Sequence, residues 1–402
     1  MASISPETVQ AMVAWRHDLH AHPETAFTEF RTSDLVAREL SALGLEVHRG
    51  LAKTGVVASI RNGDGPVIGL RADMDALLVE EQGTVPHASL HPGKMHACGH
   101  DGHTAMLLGA ARHLAAHRDF RGTVRFIFQP AEENECGGRV MIEEGLFERF
   151  PCDQVYAMHN WPGLPAGHFS VNHGPMMASF DMFEIVVQGR STHAAMPERG
   201  VDPFPAAAQI VLGLQTIVSR RLSANDSAVV SVTQVHGGET WNTIPETVTI
   251  RGGVRTFSSQ VQDLVEQAIH EISEAIAHAH GASATVAYRR RYPATINTPA
   301  EADIAIAVAR SLVGTSKVSV DVPPSMASED FAYFLRSRPG AYVWIGVDSD
   351  RPSVPLHNAC YDFNDEILGL GAAYFVNLVK QILSPPTLQV GEATVAAAHA
   401  VN

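Results

Sequence analysis

Cys98, His100 and His103 stand close together in Met95-His96-Ala97-Cys98-Gly99-His100-Asp101-Gly102-His103. A thiolate and an imidazole on a Gly-rich loop ahead of a helical pattern can be aimed at one ion, and a helix N-terminus favours the thiolate. The spacing does not suggest a closed structural zinc site, since no second C-x-x-C or H-x-x-x-H pair lies nearby. Glu132 and Glu133 follow a strand-like apolar run in Phe128-Gln129-Pro130-Ala131-Glu132-Glu133. Adjacent carboxylates on an extended or turning backbone point in different directions, so one can bind metal while its neighbour faces a reacting water. Asp73 and Asp75 form another acid pair after a strand, His159 ends a further apolar run, and His357 lies far downstream in Leu356-His357-Asn358. Taken singly, each reads as a solvated acid or a satisfied histidine. At separate strand ends, Cys, His, Glu, His and His make a donor set for two borderline divalent ions. Two such ions polarise a carbonyl and bring the pKa of water down to ~7.

The elements that must position these groups alternate. Helices are predicted over Pro6–His20 and Arg31–Leu43, the second stopped by Gly44, with β-type runs at Val56–Ile60 and Val67–Leu70. Met106, Leu107, Ala110, Ala111 and Leu114 keep helical spacing, Thr123–Phe128 reads as a buried strand, a helix falls near Arg139–Phe147, and a strand ends at Met158. The pattern predicts an α/β fold with a mostly parallel central sheet flanked by helices on both faces. The middle of the chain differs: strand Phe183–Gln188, helix Pro203–Arg221, strands Ala228–Val235 and Thr247–Arg255, an amphipathic helix marked by Val261, Val265, Ile269 and Ile272, and strand Ala284–Tyr288. This β-α-β-β-α-β order is the ferredoxin-like pattern. The expected organisation is therefore one domain in two parts, 1–179 and 293–384, with an inserted unit at 180–292 and a flexible tail at 385–402.

The chain has 402 residues and a formal net charge of −14, which disfavours a polybasic surface for nucleic acid or anionic membrane. Its four cysteines are too few for a disulfide framework, and Met1–Gln10 has neither a basic nor an apolar region of a signal peptide, so a cytoplasmic location is expected. No apolar run approaches the roughly 20 residues of a membrane span. Cys136 and Cys360 read as buried structural thiols.

These motifs resemble the bimetallic amidohydrolase branch of the aminoacylase and carboxypeptidase G2-like metallopeptidase family. That branch includes hippurate hydrolases, N-acetyl-amino-acid deacetylases and plant hydrolases of indole-acetyl amino-acid conjugates. The likeness runs from His20-Ala21-His22-Pro23-Glu24 to His357-Asn358 and is most specific over Met95–His103 and Pro130–Glu133. It implies Cys98, His100, Glu133, His159 and His357 as ligands of two divalent ions (Mn, Zn, Co or Ni). Glu132 would be the general base and then acid, and Asp75 a carboxylate that orients a ligand. The inserted unit would be a lid and dimerisation domain, making the chain a homodimer or higher homo-oligomer. Within it, His193 in Gly189-Arg190-Ser191-Thr192-His193-Ala194-Ala195-Met196-Pro197 would reach a substrate oxygen, often in the partner's site. Asn242 and Arg255 would bind substrate, Arg255 by forking onto a carboxylate.

The activity so implied is metal-dependent hydrolysis of small N-acyl amino acids (N-acetyl, N-benzoyl or indole-acetyl) to a carboxylic acid and a free amino acid. The alternatives are a dipeptidase or carboxypeptidase using the same site and, more distantly, a non-catalytic metal- or peptide-binding protein. Two departures from the branch stand out. Leu78 replaces the usual Pro, which loosens a turn near Asp75. Asn134-Glu135-Cys136 stands where glycine is usual, which narrows the pocket or adds a donor beside Glu133.

Overall fold

The computed structural model describes residues 2–133, 135–349 and 354–384; Asn134 and the tail expected to be flexible, 385–402, lie outside the described residues. Helices α1 (Pro6–Ala21) and α2 (Phe30–Ala42) open the chain. Ser5 caps α1, its hydroxyl accepting from Thr8 N, with Pro6 in the first turn. Gly44, at φ 73°, ends α2: Gly44 N donates to Ser41 O and Leu45 N to Leu40 O. Next come β1 (Glu46–Leu51), β2 (Gly55–Asn62), β3 (Val67–Asp73), α3 (His100–Ala116), β4 (Gly122–Gln129), α4 (Gly137–Glu143), α5 (Leu146–Arg149), β5 (Gln154–Pro165), β6 (Phe169–Val171) and β7 (Pro175–Met177). The middle segment holds β8 (Phe180–Gln188), β9 (Thr192–His193), α6 (Pro203–Thr216), β10 (Ala228–Gly237), β11 (Thr243–Ile244), β12 (Thr247–Thr256), α7 (Ser259–Ala279) and β13 (Ser283–Tyr292). The chain then returns through β14 (Thr295–Ile296), α8 (Pro299–Val313), β15 (Val318–Val320), α9 (Ala332–Ser337), β16 (Gly340–Asp348) and α10 (Leu368–Ile382).

The central sheet has the order β1-β2-β4-β3-β5-β16-β6-β15. Its middle pairs, β4–β3, β3–β5 and β5–β16, are parallel, whereas β1–β2, β2–β4 and β16–β6 are antiparallel. Because β3, β4 and β5 run the same way, the residues that follow Asp73 and Gln129 emerge on one edge, where open α/β sheets bind ligands. One face is covered by α1, α2, α3, α8 and α10, around a core including Met12, Leu40, Met106, Phe126 and Phe375. The other carries α4, α5 and α9, with Phe147, Phe331, Phe334 and Trp344.

The middle segment forms its own sheet, β10-β12-β8-β13, antiparallel throughout, with α6 and α7 packed on one face through Ile210, Leu214, Val265 and Ile269. Its other face carries no helix of that segment.

Several elements depart from the sequence reading. The helix expected near Arg139–Phe147 is broken into α4 and α5 by Gly145 at φ 90°. The one expected to reach Arg221 stops as α-helix at Thr216 and ends in a π turn over Ile217–Arg221. Strand β5 does not end at Met158 but runs on to Pro165, so His159 sits within it, paired with Trp344 of β16. Cys360 is exposed, not buried. Among the described residues, no helix is long and apolar enough to cross a membrane.

Candidate metal centre

Four loops and strands converge at the edge beyond β3 and β4. The loop before α3 brings Cys98, and His100 opens that helix. Gly99 between them sits at φ 88°, and a Cβ there would lie 2.5 Å from Asn160 Oδ1, so only glycine fits. The turn after β4 brings Glu132 and Glu133; Ala131 before them is at φ 55°, a strained position for a side-chain-bearing residue. β5 supplies His159, and His357, also at positive φ, is tied to the Cys98 loop by its N–H on Ala97 O at 2.8 Å.

These residues form two overlapping donor sets, Cys98–His100–His159 and Cys98–Glu133–His357, the ligating atoms of each lying within 4.8 Å of one another. All five sequence-predicted donors are thus brought together. The two buried imidazoles are set for it. His159 Nδ1 is 2.7 Å from Asn160 O, and His100 Nδ1 is 2.9 Å from Asp75 O and 3.2 Å from Asp75 Oδ1. Each arrangement keeps the proton on Nδ1 and leaves the Nε2 lone pair for an ion. His100 Nε2 is buried with no hydrogen-bond partner, an orphan that a cation would satisfy. The donor chemistry and this orphan fit a metal centre. Asp75 also accepts from Glu133 N through Oδ2 at 2.8 Å, so one carboxylate holds both a His and the Glu133 backbone.

Two further acid clusters already hold basic partners within the protein. Asp73 divides its oxygens between His103 Nδ1 (2.6 Å) and Arg71 (2.7 Å). Glu329 and Asp330, which group with Glu132, both take hydrogen bonds from Arg71 Nη2 at 3.0 Å. Sequence reasoning missed this buried Arg71–Asp73–Glu329–Asp330 network. Ser328-Glu329-Asp330 does repeat the acid-pair signal of Glu132-Glu133, but with no strand-like run before it.

The electrostatics favour a cation. Burial, then Glu133, Glu132 and Asp73, push the Cys98 thiol well above its ordinary range, so the helix N-terminus alone does not make the expected thiolate. Burial opposes charge on His100, but Asp73, Asp75 and Glu133 outweigh it and push it up to about 10. Burial and then His103 hold His159 well below its ordinary value. Burial, then Glu329, Glu133, Asp330 and Asp75, push Glu132 well above the usual carboxylate range.

Glu29, fully buried, braces this turn: its Oε1 accepts from Ala131 N at 2.9 Å and its Oε2 from Thr54 Oγ1 at 2.6 Å. Burial, and then Asp75, raise it to about 7. A carboxyl with a raised folded pKa stabilises fully below its unfolded value and loses that contribution as pH rises through 7. In Glu29→Gln this loss should disappear. Urea unfolding should show the variant gaining about 3 kcal/mol on the wild type between pH 4 and pH 8. Equal pH slopes would place the ionisation elsewhere.

A pocket of about 480 Å³ opens over the donors, walled by Leu77, Trp161, Met177, Leu356 and Tyr292. Tyr292, at the end of β13, donates to Glu132 O at 2.8 Å and so ties the middle segment to the turn after β4. Arg255 lines this pocket; it lies 4.1 Å over the Phe180 ring and donates to Ser328 Oγ at 3.0 Å. His193 and Asn242 do not line it. Both are exposed, His193 at the end of β9 and Asn242 just before its partner strand β11, with Ala194 N donating to Asn242 O at 2.9 Å. Glu135 and Cys136 do not line it either, so the expected narrowing of the pocket by them is not found; Cys136 is buried at φ 56°, a conformation that glycine adopts more readily. Leu78 is largely exposed.

A family model described as peptidase family M20/M25/M40 matches residues 69–381. The chain is 40% identical to a hippurate hydrolase of Campylobacter jejuni, over 92% of this chain and 95% of that one. It is 40% identical to an N-acetylcysteine deacetylase of Bacillus subtilis, over 92% and 97%. Among solved structures it is similar to a dinuclear metal-binding peptidase of Bacillus subtilis, with a TM-score of 0.84 and 37% identity over 94% of this chain and 99% of that one.

Proposed function

The chain belongs to peptidase family M20/M25/M40, and from that premise we propose that it hydrolyses the amide bond of N-acyl amino acids, releasing a carboxylic acid and a free amino acid. It is a hydrolase of carbon–nitrogen bonds that works with two divalent metal ions. The observation that carries the reading is the pair of donor sets sharing Cys98, with the buried carboxylate of Glu132 beside them and outside both.

Cys98, His100, Glu133, His159 and His357 would hold the ions, and this donor mixture suits Zn, Mn, Co or Ni. When bound, such ions polarise an acyl carbonyl and make water a better acid. Glu132 takes the proton of the attacking water on its carboxylate and returns it to the departing amine, a task for which a raised pKa suits it. Asp75 keeps His100 oriented. Arg255, desolvated by its burial against Phe180, receives the substrate carboxylate on its planar fork. His193 and Asn242 face solvent beside the paired strands β9 and β11, so in this reading they enter the pocket of a second copy, in a homodimer joined through the 180–292 unit, where His193 meets the carbonyl oxygen. The cytoplasm suits a site whose Cys98 must stay reduced.

The test is metal analysis with a substrate panel. The metal-loaded chain should release free amino acid from N-acetyl, N-benzoyl or indole-acetyl amino acids, and chelation should abolish the release. A preference for dipeptides by about tenfold or more in kcat/KM would mark it as a dipeptidase.

A further inference from the structure

Strand β12 carries two adjacent glycines, Gly252 and Gly253, in the interior of the four-stranded sheet, and neither is at positive φ. A glycine inside a strand weakens it, and commonly marks close packing or the approach of a ligand. Gly252 is explained by packing: a Cβ there would lie 2.3 Å from the Phe183 ring and 2.2 Å from Ser231 O. Gly253 is not. The nearest atoms to a Cβ there, Asp181 O and Phe180 Cε2, are both 3.6 Å away, which is ordinary contact. Neither backbone conformation nor packing demands glycine at this position.

The missing side chain leaves a trough. Gly253 alternates with Arg251 and Arg255 on the face opposite α6 and α7, between Met182 of β8 and Ser231 of β10. The cavity over it measures about 500 Å³; Phe180, Met182, Val229 and Ala287 form its apolar walls, and Gln234 and Arg289 are among its polar lining. Arg255 and Phe180 line both this trough and the pocket over the metal donors. The far end is closed by the Arg251–Glu184 ion pair, Nε to Oε2 2.6 Å, about 13 Å along the strand from Arg255.

We infer that the trough is the subsite for the side chain of the released amino acid, and that the substrates are N-acyl amino acids with long apolar side chains. The inference rests on the hydrolase reading above, in which Arg255 holds the substrate carboxylate. The group that continues past Arg255, away from the metal donors, is then the carboxylate-bearing half. Gly253 sets the depth of the floor.

The experiment compares kcat/KM for N-acetyl-L-methionine and N-acetylglycine in the metal-loaded wild type, Gly253→Val and Met182→Glu. Valine is a better strand former than glycine, so the thermal midpoint of G253V should not fall. Met182 is partly exposed, so M182E alters the wall without a core defect. The wild type should favour methionine by about tenfold or more, and each variant should cut that ratio by about tenfold. Equal use of both substrates by the wild type, or variants that slow both in step, would overturn the inference. Hydrolysis of neither substrate, nor of any other acyl amino acid, would overturn the hydrolase reading and this inference with it.

Discussion

Glu132→Gln should keep both metal ions bound and lose about a thousandfold or more of kcat. Glutamine has the size of glutamate and can keep the contact that Glu132 Oε1 makes with Asp330 N at 3.3 Å, so the turn after β4 should stand. What it cannot do is accept a proton and give it back. The neighbours of Glu132 favour that cycle: burial first, and then Glu329, Glu133, Asp330 and Asp75, all disfavour its charge and make a returned proton easy to hold. Glu132 also groups with His100 and Glu133 closely enough to ligate an ion, so metal content must be measured with the rate. Two ions bound and turnover gone is the expected pair of results. Full turnover would remove Glu132 from the chemistry, and loss of an ion would make it a ligand. Glu133→Gln should behave in the opposite way, shedding metal first.

Local signals in the sequence marked both acids as candidates, and the family resemblance assigned which is base and which is ligand. Cys98 and His100 precede a helical pattern, and Glu132 and Glu133 directly follow an apolar strand, so the parallel centre of the sheet delivers them to one edge. The antiparallel β-α-β-β-α-β segment was legible for the same reason, since its strands and helices switch period cleanly. Less was legible where the determinant is distant or the local signal is weak. β1 carries few apolar residues and pairs only on the sheet's edge, and β6 is three residues long. The strand looked finished at Met158 because His159 and Asn160 break the apolar run, yet β16 pairs with them and extends the strand. Arg71 is the clearest case. It interrupts the apolar run of β3, and the partners that explain it lie as far as 259 residues away.

Arg71 is also where the largest loss of stability is expected. Its guanidinium is buried, and all its hydrogen bonds are to acceptors on other elements or its own strand: Gln129 Oε1 at 2.9 Å, Asp73 at 2.7 Å, and Glu329 and Asp330 at 3.0 Å. Arg71→Met keeps the apolar stem but leaves three buried carboxylates without their cation. Removing one partner of a buried ion network costs about 3–5 kcal/mol, far more than the intact network contributes over an apolar replacement. The pH dependence separates this from a packing defect. His100 and then Arg71 hold Asp73 well below the usual carboxylate range against the opposing effect of burial, so Asp73 adds stability above its unfolded pKa and loses it as pH falls through the lower folded value. In R71M much of that contribution is gone at neutral pH, and the orphaned acids recover by taking protons. The deficit measured by urea unfolding should therefore be greatest near pH 7 and shrink as the pH approaches 4, whereas a cavity would cost the same at both. Arg71→Lys should fall between, because an ammonium restores the charge but cannot fork to Asp73, Glu329 and Asp330 together. A pH-independent deficit, or a lysine variant as weak as methionine, would show that Arg71 fills space and does not balance the acids beneath Glu132.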